Sequence, residues 1–139
     1  MIKNSLGKMG EIGQRISKSY SGSIVGGWTM QNMLNFTLTK GIWAVGWQVY
    51  TNTDTAGASC QVGIGLTSGD DTDGLAINKY YLTEGSDNSN GIGNIANIKS
   101  GPNEWIVNSD TTYYLKFKSN AGAGGINCLL FCEKKAHIL

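Results

Sequence analysis

Apolar and polar residues alternate along most of the chain, and this period of two predicts β-strands. In residues 33–41 the side chains of Leu34, Phe36 and Leu38 share one face of such a strand. The same alternation predicts strands over 42–50, 60–66, 75–82, 104–108, 111–119 and 126–132. The segments between them, including 68–74, 84–94 and 99–104, have the composition of loops. Short strands joined by turns predict an all-β antiparallel sandwich or jelly roll.

The first residues do not follow this pattern. Apolar residues recur at threes and fours over 2–16, but Gly7, Gly10 and Gly13 interrupt the series, and each costs about 1 kcal/mol in a helix. We therefore predict that residues 1–14 form an extended lead-in or a short trimeric stalk, and that 15–139 form the sandwich head.

Two of the predicted strands, 42–50 and 126–132, are apolar on both faces. A sandwich strand buries one face in its own core, so the second face needs either another layer or another subunit. The chain has no helices to spare, which favours another subunit. The aromatic and apolar residues on these strands fit either the core or a trimer interface, and the interface candidates are Trp43, Trp47, Leu129 and Phe131.

The stretch NAGAGG, residues 120–125, does not match the sequence pattern of a phosphate-binding loop. Gly122 and Gly124 match two glycines of a dinucleotide fingerprint, but Asn127 stands where the third is required. A strand follows where a helix would be needed. Since Asn and Gly tolerate positive φ, the stretch is predicted to be a hairpin turn.

Composition narrows the possible partners. The chain has 139 residues and a net charge of +1, which predicts one domain and no strong attraction to nucleic acid. No apolar run approaches the ~20 residues needed for a membrane span. The first residues lack the apolar core of a signal peptide, so the usual secretion route is not expected.

Chemistry-bearing residues are few and scattered. Cys128 and Cys132 would lie about 13 Å apart on a strand, beyond disulfide reach, so the cysteines are predicted to be buried thiols of the core. The single histidine, His137, is predicted to lie in the tail. Residues 68–74 do not fit an EF-hand loop. We predict no metal, no cofactor and no enzyme activity.

Surface recognition is the remaining function. Tyr80 and Tyr81 are adjacent, so in a strand they face opposite ways and one of them reaches a surface. Polar loops flank them, which suits sugar stacking or receptor contact. The candidate receptor-binding residues are Asp70, Asp71, Asp73, Tyr80, Tyr81, Asp87, Asn88 and Asn90.

The order of these pieces resembles a C-terminal module of bacteriophage tail fibres and tailspikes. The resemblance rests on Ile12-Gly13-Gln14 with Ile16-Ser17, on Leu38 to Val49, on Leu66-Thr67-Ser68-Gly69, on Thr111 to Leu115 and on the final strand Ile126 to Phe131. It covers about residues 11–135. Gln14 and Arg15 depart from the acidic residue common in the opening motif, and the ending CEKKAHIL departs from the usual final strand.

The resemblance implies a homotrimeric, tumour-necrosis-factor-like head at the distal end of a viral fibre. Its implied work is attachment to the bacterial host surface, often to a polysaccharide. The implied location is the phage tail of a virion, after synthesis in the host cytoplasm, with upstream fibre or spike domains as further partners. The alternative is a C-terminal trimerisation and folding cap for a spike whose other domain recognises or degrades the polysaccharide. A small glycan-active enzyme is the third hypothesis.

Overall fold

A computed structural model describes residues 11–27, 29–53, 60–66, 77–80, 95–120 and 122–138, with backbone alone for 53, 77–80 and 95–98. These residues form strands and turns without a helix. The strands are β1 (Arg15–Ser23), β2 (Gln31–Leu38), β3 (Gly41–Thr53), β4 (Cys60–Gly65), β5 (Ile77–Tyr80), β6 (Ile95–Val107), β7 (Thr111–Ser119) and β8 (Gly124–Ala136).

The strands form two four-stranded sheets with the orders β1-β8-β3-β6 and β2-β7-β4-β5. We call them the β8 sheet and the β7 sheet. Every pairing between neighbouring strands is antiparallel. These two orders are those of an eight-stranded jelly roll, so the predicted fold class is confirmed.

The core lies between the sheets and is built from the inward face of each strand. Phe36, Leu115 and Phe117 on the β7 sheet and Val49, Ile126 and Leu130 on the β8 sheet are essentially inaccessible to solvent. At one end of the core, the Tyr113 ring stacks on Phe36 at 5.5 Å and meets the edge of Trp105 at 5.1 Å. Alternation along the sequence predicted this inward face correctly.

Strand β1 was missed by the sequence prediction. Its apolar residues are few, because it is an edge strand that alternates serines with Ile16, Lys18 and Tyr20. Lys18 belongs to the inward-facing set, opposite Leu130, and its ammonium donates to the Asn35 carbonyl oxygen at 2.7 Å. An inward-pointing charge at a sheet edge also discourages pairing with a further strand.

The prediction of a loop over 99–104 was wrong, because these residues continue β6. The strand is irregular there: its register against β3 shifts between Val45 and Trp47, and Gly101 has a φ of 81°. Gly and Pro give the segment a loop composition, yet Pro102 is tolerated because β6 is an edge strand.

The connection from β7 to β8 does not close a hairpin. β7 and β8 belong to different sheets and do not pair. The turn therefore carries the chain across the sandwich, and Gly124 already belongs to β8. The Gly and Asn residues predicted a turn correctly. Which strands pair on either side of it depends on the topology of the whole fold, which the local sequence does not specify.

The two ends of the sandwich are closed by different connections. At the first, which we call the entry end, residues 11–14 lie beside Lys134: the Gly13 amide donates to the Lys134 carbonyl oxygen at 2.8 Å, and the Lys134 amide donates to the Gln14 carbonyl oxygen at 2.9 Å. At the opposite end, which we call the far end, the Ile24 amide donates to the Gly124 carbonyl oxygen at 2.8 Å. β1 runs from the entry end to the far end, and β8 runs back.

Candidate functional site: the outer face of the β8 sheet

Most of the sequence-predicted receptor residues lie outside the described part of the chain. They are Asp70, Asp71, Asp73, Tyr81, Asp87, Asn88 and Asn90. Tyr80 is the last residue of β5, for which only the backbone is described. The predicted loops 68–74 and 84–94 likewise lie outside the described residues.

Trp43 and Trp47 lie in the core, which corrects their placement at a trimer interface. Their side chains are on the inward face of β3 and expose 0% and 5% of their surface. The Trp43 indole N–H donates to the Thr39 carbonyl oxygen at 2.8 Å. Both rings are thus used within one chain, leaving little surface for a second subunit.

Leu129 and Phe131 lie on the outer face of the β8 sheet. They expose 59% and 41% of their surface, although their neighbours Cys128, Leu130 and Cys132 on the same strand are buried. Leu129 is opposite Gln48 of β3, and Phe131 is opposite Gly46. The two apolar side chains therefore stand at the middle of the sheet, on a central strand rather than at an edge.

The bulge in β6 deepens this part of the face. A depression of about 240 Å³ is lined by Leu129 and Phe131 and by Gly101 and Pro102 of β6. Gly46 also lines it, and a Cβ atom at that position would come within 3.3 Å of the Pro102 Cα. The glycine thus keeps the depression open between β8 and β6.

The side chains next to Leu129 and Phe131 on the neighbouring strands β1 and β3 are uncharged, whereas Lys99 of the edge strand β6 lines the depression. The register places Ser17, Ser19, Asn127, Gln48 and Tyr50 around Leu129 and Phe131. The charged residues lie on the edge strands or near the end of β8, and they are Arg15, Lys99, Glu104, Glu133 and Lys135. An apolar, uncharged centre with a charged rim of both signs is the composition of a protein interface.

The outer face of the β7 sheet is different. Lys116 occupies an outward position on β7, opposite Gly63 of β4, but exposes 0% of its surface. Gly63 and Gly65 are also buried. This burial is confined to the part of the face beside β4, because Asn35, Thr37 and Thr112 at outward positions of β2 and β7 are exposed. The β8 sheet therefore carries the outer face that exposes apolar side chains at its centre.

A second buried lysine closes the entry end. The Lys134 ammonium donates to Thr39 Oγ1 at 3.1 Å and lies 5.9 Å from the centre of the Trp43 ring. A Cβ atom on Gly41 would lie 2.5 Å from the Lys134 Cε atom, so the lysine occupies space that only a glycine leaves free. These contacts stabilise the start of β3 against the end of β8.

The cysteines have a structural role, as predicted. Cys60, Cys128 and Cys132 are buried free thiols. Burial raises the pKa of Cys128 and of Cys132 to about 12, so neither is a reactive thiolate at neutral pH. Among the described residues, no group of three or more His, Cys, Asp or Glu side chains is placed to hold a metal ion.

A membrane-spanning helix is likewise not found in the described part of the chain. This finding concerns helices alone.

Comparison with known proteins gives structural matches only. No protein-family model matches the chain, and no curated protein matches it. A chain from the structure of infectious bursal disease virus, Gx strain, aligns with a TM-score of 0.50 at 9% identity, covering 89% of this chain and 34% of that one. The present chain therefore spans about a third of the length of that viral chain.

Two phage capsid structures are similar at lower scores. The cyanophage Pam1 capsid aligns with a TM-score of 0.46 at 11% identity, covering 88% of this chain and 86% of that one. The capsid of the Helicobacter pylori bacteriophage KHP30 aligns with a TM-score of 0.45 at 15% identity, covering 86% and 92%. At these identities, the infectious bursal disease virus match supports the jelly-roll fold and no more.

Proposed function

We propose that this protein is a structural component of a phage virion and forms the trimeric tip module of a tail fibre or tailspike. In this proposal the module attaches the virion to the bacterial surface by binding a polysaccharide, without enzyme activity. The tail-fibre motifs of the sequence and a jelly-roll fold similar to that of a viral chain support it. The observation that carries it is the open, apolar outer face of the β8 sheet.

The trimer is proposed to form through this outer face. Leu129 and Phe131 would be buried between subunits, and the uncharged side chains around them would pack at the centre of the contact. Removing such side chains from water contributes about 2 kcal/mol each. Because three copies present the same receptor site, weak contacts with a repeating polysaccharide add up to strong attachment.

The assembly is tested by measuring mass in solution with a matched pair of variants. Leu129→Ser removes an apolar side chain from the centre of the proposed contact, whereas Leu66→Ser removes one that is 47% exposed beside β4 of the other sheet. We expect the wild type and Leu66→Ser to be trimers at micromolar concentration and Leu129→Ser to dissociate. A monomeric wild type would rule out the trimer.

Recognition is proposed to involve the polar loops and the tyrosines beside them. The candidate residues remain Asp70, Asp71, Asp73, Tyr80, Tyr81, Asp87, Asn88 and Asn90. Replacing residues 84–94 with a glycine-serine linker of equal length is expected to abolish adsorption to host cells while leaving the trimer intact.

The second candidate function is a trimerisation and folding cap. The same outer face favours it, because assembly alone needs no receptor loop. Its distinguishing result is an intact wild-type trimer that does not adsorb to host cells before any residue is changed.

A further inference from the structure

The outer face of the β8 sheet is polar at one edge and apolar at the other. Strand β1 presents Ser17, Ser19 and Ser21 on this face. The bulge of the opposite edge strand β6 presents Pro102, and Ile106 follows four residues later. Ile106 exposes 62% of its surface, the largest fraction among the exposed large apolar side chains of the described residues. The apolar surface therefore extends from β8 to the β6 edge rather than to β1.

Ile106 points outward, on the same side of the sheet as the depression. It is opposite Ile42 of β3, whereas its neighbour Trp105 is opposite Trp43 and lies in the core. Ile106 lies about 13 Å along the strand from Pro102, which lines the depression. Its side chain is too short to bridge that distance. Only a second copy of the chain can therefore place an Ile106 side chain in the depression.

The charges on β6 suit such a contact. Lys99 is exposed and lines the depression. Glu104 is exposed two residues before Ile106, and it faces outward because it is opposite Ala44. When Ile106 of a second copy enters the depression, Glu104 of that copy comes to the rim that carries Lys99. An apolar side chain with an anion beside it thus matches an apolar depression with a cation beside it.

We propose that the depression receives Ile106 of a second copy of this chain and that Lys99 pairs with Glu104 of that copy. This inference rests on the proposed trimer and adds the residues that each subunit contributes. The depression and the Ile106 side chain are different patches of one subunit, so the contact is heterologous. Repeated about a three-fold axis, such a contact closes into a ring. The serines of β1 stay outside it.

Mass in solution over a dilution series tests the apolar part of the contact. Ile106→Ser removes the inserted side chain, and Val25→Ser removes a 50% exposed side chain at the far end. We expect the concentration at which the trimer dissociates to rise at least about tenfold for Ile106→Ser and less than about twofold for Val25→Ser. An unchanged trimer in Ile106→Ser would overturn the inference and leave the trimer standing. A monomeric wild type would overturn both.

Charge reversal tests the partner of Lys99. Lys99→Glu and Glu104→Lys each place like charges together, and each is expected to weaken the trimer by at least about threefold. The double variant Lys99→Glu/Glu104→Lys restores opposite charges across the contact, so its dissociation should lie within about twofold of that of the wild type. Additive losses in the double variant would overturn the pairing.

Cross-linking distinguishes the ring from a two-fold contact. In Lys99→Cys/Glu104→Cys the two new thiols of one chain lie more than about 10 Å apart on β6, beyond disulfide reach, and the native cysteines are buried. We expect mild oxidation to give a covalent trimer on a denaturing gel, whereas each single-cysteine variant should stay monomeric there. A covalent dimer as the end product, or no covalent product from an intact trimer, would overturn the inference.

Discussion

The two sheets of this jelly roll have similar inward faces and opposite outward ones. The β8 sheet exposes Leu129 and Phe131 on a central strand, opposite the uncharged Gln48 and Gly46 of β3. The β7 sheet buries Lys116 beside two glycines, so a charged residue lies on its outer side without solvent contact. One sheet thus buries part of its outer face, around Lys116, while the other leaves apolar surface open.

This difference shows that composition alone is a poor guide to which face remains free. From residue type alone, Lys116 is expected to be exposed, and Leu129 and Phe131 are expected to be buried. The structure reverses both expectations. In this chain, the sheet that carries the more apolar outer face is the one available to a partner, and the proposed trimer depends on that reversal.

The largest expected effect comes from the bulge that shapes the depression on the β8 sheet. Gly101 has a φ of 81°, and an added Cβ would clash with the Val45 carbonyl oxygen and lie 2.7 Å from the Asn103 nitrogen. Gly101→Ala is expected to lower the free energy of unfolding by about 3 kcal/mol, because backbone strain and a clash with backbone act together.

Gly27→Ala is the matched control. Gly27 has a φ of 74°, but a Cβ there would have no neighbour within 4 Å. Only the conformational cost remains, so a loss of about 1 kcal/mol is expected. Urea unfolding at one fixed protein concentration measures the free energy of unfolding of both variants. Equal losses for the two variants would show that the bulge is not tightly packed.

The next effect tests the covered face. Lys116→Ala removes a side chain that has no exposed surface, and we expect a loss of about 2 kcal/mol in the free energy of unfolding from lost packing and lost polar contacts. Lys118→Ala, at a partly buried position on the same face, is expected to cost about 0.5 kcal/mol.

Thermal and urea unfolding of the two lysine variants give these values. A negligible loss for Lys116→Ala would mean that the outer face of the β7 sheet is as open as that of the β8 sheet. The comparison between the sheets would then fail.

Much of the fold could be predicted from the sequence, because alternation over β2, β3, β4, β7 and β8 is strong. The edge strands were harder. β1 carries too little apolar surface to be recognised, and the glycine and proline of β6 resemble a loop. Edge strands are stabilised by one neighbour and by tertiary contacts such as that of Lys18 with Asn35, which local propensity does not record.

The candidate site was predicted in part. Alternation separated Leu129 and Phe131 from the inward residues of β8, and the exposed outer face follows from it. The same alternation could not decide whether Trp43 and Trp47 faced the core or a partner, because both choices give one apolar face on β3. The depression depends on the β6 bulge against Gly46, which is set by pairing between distant segments.

The inward face of β8 carries two thiols whose burial makes stability depend on pH. Burial raises the pKa of the inward thiols of Cys128 and Cys132 to about 12, from an ordinary 9.0. Above pH 9 the unfolded chain releases protons that the folded chain retains. Their stabilising contribution is therefore complete below pH 9 and is lost as the pH rises toward 12.

We expect a loss of about 1 kcal/mol per thiol at pH 10. The variant Cys128→Ala/Cys132→Ala will be less stable at pH 7 but should lose less stability between pH 8 and pH 10. Any other pH effect is common to both proteins and cancels in this difference. Parallel pH profiles of the two proteins would mean that water reaches the inward face of β8.

The smallest expected effect lies at the rim of the open face. Lys135 and Glu133 form an ion pair at 3.3 Å, with the lysine side chain 53% exposed. Exposed pairs of this kind contribute little, so Glu133→Gln should change the free energy of unfolding by less than about 0.5 kcal/mol.

If the outer face of the β8 sheet is the subunit contact, the same variant should alter the salt dependence of trimer formation, because rim charges act on association more than on folding. Sedimentation at 50 and 500 mM NaCl measures this, with Lys118→Ala on the other sheet as the control. An equal salt response in Glu133→Gln and the wild type would show that Glu133 is not at the rim of the subunit contact. The Leu129→Ser variant would still test the apolar centre of that contact.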